Sequence, residues 1–224
     1  YGWDFSVMER YLDVAQEKLG KVKMVVVQVW DVYMKTERQK RFEDFKMMGC
    51  PQVTKYDSTT GKTENVVLPP LSDGASRQIW GGLLGEVRQR LRRRGLEKAM
   101  MLGMFCDMQP SREDVEFFAS VAPGVPWVQQ GHGFVTKLYG VADVGYNASV
   151  WGGLGFADGC RQTNQASAPF TKSAYGWSRP TLNVVYERNT ALDSYPPTRW
   201  FWFPMTGVTG EFRGIGRIGA DLWK

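Results

Sequence analysis

The feature that most constrains this chain is a phrase that recurs along it. A short apolar run closes on an acid or an amide, and a helical or turn-rich stretch follows. The clearest instance is Ala99-Met-Met-Leu-Gly-Met-Phe-Cys-Asp107-Met-Gln-Pro-Ser111. An arginine-rich helical pattern precedes it, and Ser111-Arg-Glu-Asp114 opens a new helix after it. An unbroken apolar run between two helices is the pattern of a strand covered on both faces, as in a parallel sheet. Ligands of such sheets bind beyond the carboxyl ends of the strands, whether the sheet is open or closed into a barrel. Asp107 stands at that end. Its competing role, a helix cap, falls more naturally to Ser111, with Asp114 at the capping-box position.

The same phrase organises the rest of the chain. From Asp4 to Leu19 the apolar residues Phe5, Met8, Tyr11, Leu12, Ala15 and Leu19 recur at helical spacing, and Gly20 marks the stop. Lys23 to Trp30 is a β-branched run that closes on Asp31. Residues 34–74 lose this periodicity and carry breakers such as Ser58-Thr-Thr-Gly61 and Pro69-Pro70. They read as a long rim loop or lid, with a hairpin over Asp57 to Leu68. Ala75 to Leu96 is a helix with Ile79, Leu83, Val87 and Leu91 on one face, and Ser111 to Val121 is a shorter one. Trp127 to His132 is a third strand, closing on Gln129, Gln130 and the only histidine. Phe134 to Tyr146 is a fourth run, broken by Gly140 and Gly145, with Asp143 and Tyr146 near its end. Asn147 to Trp177 reads as loop around a rim. Thr181 to Tyr186 closes on Glu187, and Phe212 to Asp221 closes on its own acid.

Strands separated by helices, or by loops of similar length, favour parallel packing and a (β/α) architecture. The expectation is an α/β fold of TIM-barrel type, with residues 1–224 as one domain. A full barrel has eight strands, more than the chain supplies. The missing ones are hidden in loops or lie ahead of Tyr1. Because the chain starts without Met inside a helical pattern, a partial barrel from a processed or longer chain is expected. The rival, a doubly wound sheet, commonly has a glycine-rich phosphate turn after its first strand, which Trp30-Asp-Val-Tyr33 does not resemble.

Composition narrows the partners. Nine Trp and nine Tyr exceed what a core requires, and surplus aromatics often stack on flat ligands such as sugars. Much of the net charge of +5 sits in Arg88-Gln-Arg-Leu-Arg-Arg-Arg94. On the last turns of a helix such a run complements the helix dipole and faces solvent, so nucleic acid is not the expected partner. Cys50, Cys106 and Cys160 are odd in number and lack CxxC spacing, which argues against a metal knuckle or a disulfide framework. One histidine among scattered acids offers no spaced ligand pair, so neither metal nor cofactor is expected. No apolar run approaches the ~18 residues of a membrane span.

Parallel strands would bring Asp31, Asp107, His132, Asp143, Glu187 and Asp221 to one face, beside Trp30, Trp127, Tyr139, Tyr146 and Trp151. Two carboxylates across a cleft suit acetal hydrolysis: one protonates the leaving oxygen, and the other attacks or activates water. Asp107 and Glu187 are the favoured pair, with Asp31 a third acid beside them. Gln130, His132, Trp30, Trp127, Tyr146 and Trp151 are the candidate sugar contacts. His132 has two readings, a partner for a sugar hydroxyl or carboxylate, and a structural donor to a loop carbonyl. Asp143 and Asp221 rank lower, since Asp221 is equally suited to capping a helix or pairing with Arg213 or Arg217.

Leu71-Ser-Asp-Gly-Ala-Ser-Arg-Gln-Ile-Trp80, Arg93-Arg-Gly-Leu96, Met101-Leu-Gly-Met-Phe-Cys-Asp107 and Arg213-Gly-Ile-Gly-Arg-Ile-Gly-Ala-Asp-Leu-Trp223 carry a resemblance. Together they resemble the later part of a TIM-barrel glycoside hydrolase, distantly similar to glycoside hydrolase family 123 and its uncharacterised relatives. The resemblance implies cleavage of a glycosidic bond in an oligo- or polysaccharide, and a secreted or periplasmic setting. In that family an adjacent Asp-Glu pair follows a barrel strand, and the substrate's N-acetyl group acts as nucleophile. Here Met108 follows Asp107, a departure from that pattern. The departure favours the alternative, a catalytically inactive carbohydrate-binding or assembly protein on the same barrel.

Overall fold

Each of the two longer-range helix signals in the sequence resolves into a specific set of hydrogen bonds. Helix α2, Gly74–Arg93, begins where the Asp73 side chain accepts the Ala75 N–H at 2.8 Å. It ends at Gly95, whose φ of 69° lets the chain reverse. There the N–H of Leu96 donates to the Leu91 carbonyl at 2.8 Å and that of Gly95 to the Arg92 carbonyl at 3.0 Å. Leu91 and Leu96, both buried, are the apolar pair that accompanies such a terminus. Helix α3, Arg112–Val121, opens with the expected capping box, in which the Ser111 hydroxyl and the Asp114 carboxylate each accept the other's backbone N–H at 3.2 Å.

The computed structural model describes residues 2–30, 51–104, 109–131, 135–149, 182–186, 205 and 214–216. Ahead of α2 lie helix α1, Ser6–Leu19, strand β1, Val25–Trp30, and the strands β2, Gln52–Tyr56, and β3, Thr63–Val67. A 3-10 turn, Glu97–Ala99, and strand β4, Met100–Met104, follow α2. After α3 come β5, Trp127–Gly131, β6, Lys137–Leu138, β7, Ala142–Ser149, β8, Leu182–Tyr186, and β9, Gly214–Gly216. The chain is thus mixed α/β, and apart from the separate two-stranded sheet of β2 and β3, helices alternate with strands as far as β5. It divides into two compact units, one of Tyr1–Leu102 with Pro110–Val125, the other of Gly103–Gln109 with Pro126–Lys224.

In the first unit β1 lies beside β4. The core gathers Phe5, Leu12, Val29, Trp30, Ile79, Trp80, Leu84, Leu91, Leu102, Val115 and Phe118. Phe118 meets Trp80 edge-on, with ring centroids 5.3 Å apart. In α1 only part of the expected stripe is buried: Phe5 and Leu12 are inside, whereas Tyr11 and Leu19 are exposed. Successive helical residues diverge by ~100°, so Tyr11 cannot share the inward direction of Leu12. Of the stretch 34–74, residues 51–74 are described, and the expected hairpin is there. β2 and β3 pair antiparallel from Gln52↔Val67 to Tyr56↔Thr63, so the hairpin begins earlier than its turn residues suggest. Its turn is set by Asp57, whose side chain accepts the Thr59 N–H at 2.8 Å, and by Gly61 at φ 68°.

The arginine run is not a free solvated face. Every arginine in it has a carboxylate within ion-pair distance: Arg88 and Arg92 meet Glu97, Arg93 meets Glu9, Arg90 meets Glu9 and Glu86, and Arg94 meets Glu9 and Asp13. Arg90 also stacks over the Phe5 ring at 3.9 Å. Because Glu9 and Asp13 lie on α1, the run ties α1 to α2. Of the three arginines that pair with α1, Arg90 and Arg94 have side chains only 18% exposed. No helix among the described residues is long and apolar enough to cross a membrane.

In the second unit β7 pairs in parallel with β5 and with β8, and β8 pairs in parallel with β9. Among the described residues no pairing closes these strands into a barrel. The fourth apolar run is two strands rather than one. β6 turns back on β7, pairing Leu138↔Ala142 and Lys137↔Asp143 antiparallel. Between them Tyr139 and Gly140, at φ 52° and 74°, make the reversal, and the Val141 N–H donates to the Leu138 carbonyl at 2.9 Å. β7 then continues to Ser149, so Asn147, expected in a rim loop, is a buried strand residue.

Candidate functional site

The parallel register sets which strand ends lie abreast. Gly131 of β5 pairs with Ser149 of β7, Ser149 with Val185 of β8, and Tyr186 with Gly216 of β9. The carboxyl ends of four strands therefore form one edge. In the chain Gly131 is followed by His132, Tyr186 by Glu187, and Ser149 by Val150 and Trp151. Asp31, Asp107, His132, Trp151, Glu187 and Asp221 themselves lie outside the described residues, as do Cys50, Cys106 and Cys160.

Asp143 is not at this edge. It opens β7 at the amino end, is exposed, and pairs with Lys137 across the hairpin turn at 2.5 Å. The expectation that it joins the strand-end acids fails because the run it was thought to close is folded back at Tyr139 and Gly140. Trp30 and Trp127 are also differently placed from a sugar platform. They are 2% and 0% exposed, so neither presents a ring face to a ligand. The Trp30 indole N–H donates instead to Asp114 at 3.1 Å, joining the carboxylate that caps α3.

Tyr146 is the described aromatic that retains the candidate role. It sits on β7 between Val128 of β5 and Leu182 of β8. Its side chain is half-buried, and burial raises its phenol above the ordinary range. The hydroxyl is thus held neutral over a wider pH span, available as both donor and acceptor. Gln130 lies abreast of Ala148, one residue short of the strand end.

Beside it lie two buried amides, Gln129, which the sequence placed near its strand end, and Asn147, which the apolar pattern does not single out. Gln129 of β5 and Asn147 of β7 are register partners, 2% and 0% exposed, and Asn183 of β8 is the next residue along the same rung. Buried carboxamides cost free energy unless their donors and acceptors are met. Asn147 meets its own: its Oδ1 accepts the Val135 N–H at 3.2 Å and its Nδ2 donates to the Val135 carbonyl at 2.9 Å. A signal for it was present in sequence, since Ala148-Ser-Val150 continues the strand-like run past Tyr146. Among the described residues, no group of three or more His, Cys, Asp or Glu side chains comes together as a metal site.

Along this edge the half-buried Tyr146 offers a neutral phenol, whereas the amides of Gln129 and Asn147 are buried; in the chain, His132 follows β5 and the candidate acid Glu187 follows β8. Compared with protein-family models and with curated proteins, the chain matches none.

Proposed function

We propose that this chain is a glycoside hydrolase-like, carbohydrate-active protein whose parallel strands belong to part of a (β/α) barrel. The observation that supports the reading best is the register of β5, β7, β8 and β9, which aligns their carboxyl ends. In parallel α/β architectures that edge is where ligands bind. Polar residues follow the strands in sequence there, His132 after β5 and Glu187 after β8, while Asp107 follows β4. In the proposed reaction one carboxyl of Asp107 and Glu187 protonates the glycosidic oxygen. The other attacks the anomeric carbon or activates a water toward it. Asp31 serves as a third acid, and Gln130, His132, Tyr146 and Trp151 hold the oligo- or polysaccharide.

The test is a glycan panel with reducing-end detection. Turnover by the wild type that falls at least ~100-fold in both Asp107→Asn and Glu187→Gln is expected, in line with the loss of a general acid or base. Turnover that survives both changes overturns the assignment. A second reading, a catalytically inactive sugar-binding or assembly protein, is favoured by Met108 in place of the acid after Asp107. Binding without turnover selects it. A nucleic-acid interface at Arg88 to Arg94 has less support, since those arginines are engaged by carboxylates of the same chain.

A further inference from the structure

Val135 lies outside any strand and is 5% exposed. A buried peptide group outside a ladder must find partners elsewhere. Asn147 supplies both of them, accepting from the Val135 N–H and donating to its carbonyl. A carboxamide carries the same donor and acceptor pair as a peptide group, so β7 extends a side-chain rung to a segment that has left the sheet. The chain leaves β5 at Gly131, which is paired with Ser149 of β7. By Val135 it is bound again, to Asn147 of the same strand. Both ends of this short span are therefore fixed to positions 147 and 149 of β7, at the carboxyl edge.

We infer that Asn147 is a positioning residue that anchors the chain as it returns from the carboxyl end of β5. The anchoring stands on the hydrogen bonds alone; its relevance to sugar binding rests on the proposed function. Gln129, the register partner of Asn147 on β5, is as deeply buried, so the rung is closed to water from that side. A water molecule is thus a poor substitute for the carboxamide, and the contact is strict about its partner.

Amide hydrogen exchange on the full chain tests this. In the wild type the Val135 amide should exchange within roughly tenfold of the rates of Tyr146 and Ala148 in β7, although it belongs to no strand. Fast exchange there overturns the inference without any variant. In Asn147→Leu, the Val135 amide should exchange at least ~10-fold faster while the β7 and β8 amides change by less than ~2-fold. Equal acceleration through β5, β7 and β8 would reduce Asn147 to a contributor to general stability, and overturns it. None of these readouts uses a glycan. A silent glycan panel therefore removes the proposed function and leaves the anchoring to be decided by exchange.

Discussion

The two units bury different chemistry. In the first, the buried side chains are almost entirely apolar, and its charges are paired at the surface between α1, α2 and the turn at Glu97. Ser76 is the buried polar side chain there, its hydroxyl 2.8 Å from the Pro70 carbonyl and 3.0 Å from that of Pro69, which secures the approach to α2. In the second, two carboxamides lie side by side in the middle of a parallel ladder, Gln129 and Asn147. An apolar pair at that rung would pack with no hydrogen bonds to satisfy. Among the described residues, buried amides in a ladder thus set the second unit apart from the apolar interior of the first.

That contrast can be broken most directly in the first unit. Phe118 is fully buried and packs edge-on against both Trp80 and Phe117. Phe118→Ala should cost about 3–5 kcal/mol in urea unfolding. A loss below about 1 kcal/mol would mean that packing is not what holds this unit. Asp114→Ala comes next, because it removes the α3 cap and strands the buried Trp30 N–H together. A cost of about 1–3 kcal/mol is expected, larger than the roughly 1 kcal/mol of Ser111→Ala, which removes the cap alone. Equal costs would show that the Trp30 bond contributes nothing.

The smallest effect concerns the surface ion pairs. Arg92 and Arg88 donate to Glu97 and hold its carboxyl down at about 2 from an ordinary 4.5. A carboxyl lowered in the folded state favours folding at pH values above its unfolded value. Its contribution is therefore full above about 4.5 and is lost as pH falls toward 2. Glu97→Gln should flatten that part of the stability curve and leave the shape above pH 5 unchanged, which unfolding midpoints from pH 2 to 6 will show. Added salt should shrink the difference, since these side chains are partly exposed.

Much of the fold was legible because its signals are local. The helices over 4–19, 75–96 and 111–121 appear within two or three residues of their expected limits, since caps such as Asp73, Ser111 and Gly95 act through neighbours in the chain. The apolar runs became strands β1, β4, β5, β8 and β9 for the same reason. The hairpin at Tyr139 and Gly140 was missed because Tyr is a poor signal for a left-handed backbone position, and only Gly140 advertised the turn. Tyr146 and Gln130 lie on β7 and β5, within the runs where the sequence placed them. Asn147 was not placed in one, because an amide in a run of small residues reads as loop until the neighbouring strands bury it.

The amino-acid sequence by itself determined where the helices and most of the strands lie, because capping, glycine geometry and hydrophobic period are settled within a few bonds. Only the tertiary structure decided which way each residue is used. It spent the arginine run on Glu9, Asp13, Glu86 and Glu97, put Trp30 and Trp127 out of reach of solvent, and moved Asp143 to the opposite end of its strand. Those outcomes depend on partners distant in the chain, and the free energy of a charge or an indole follows from what surrounds it rather than from its neighbours in sequence.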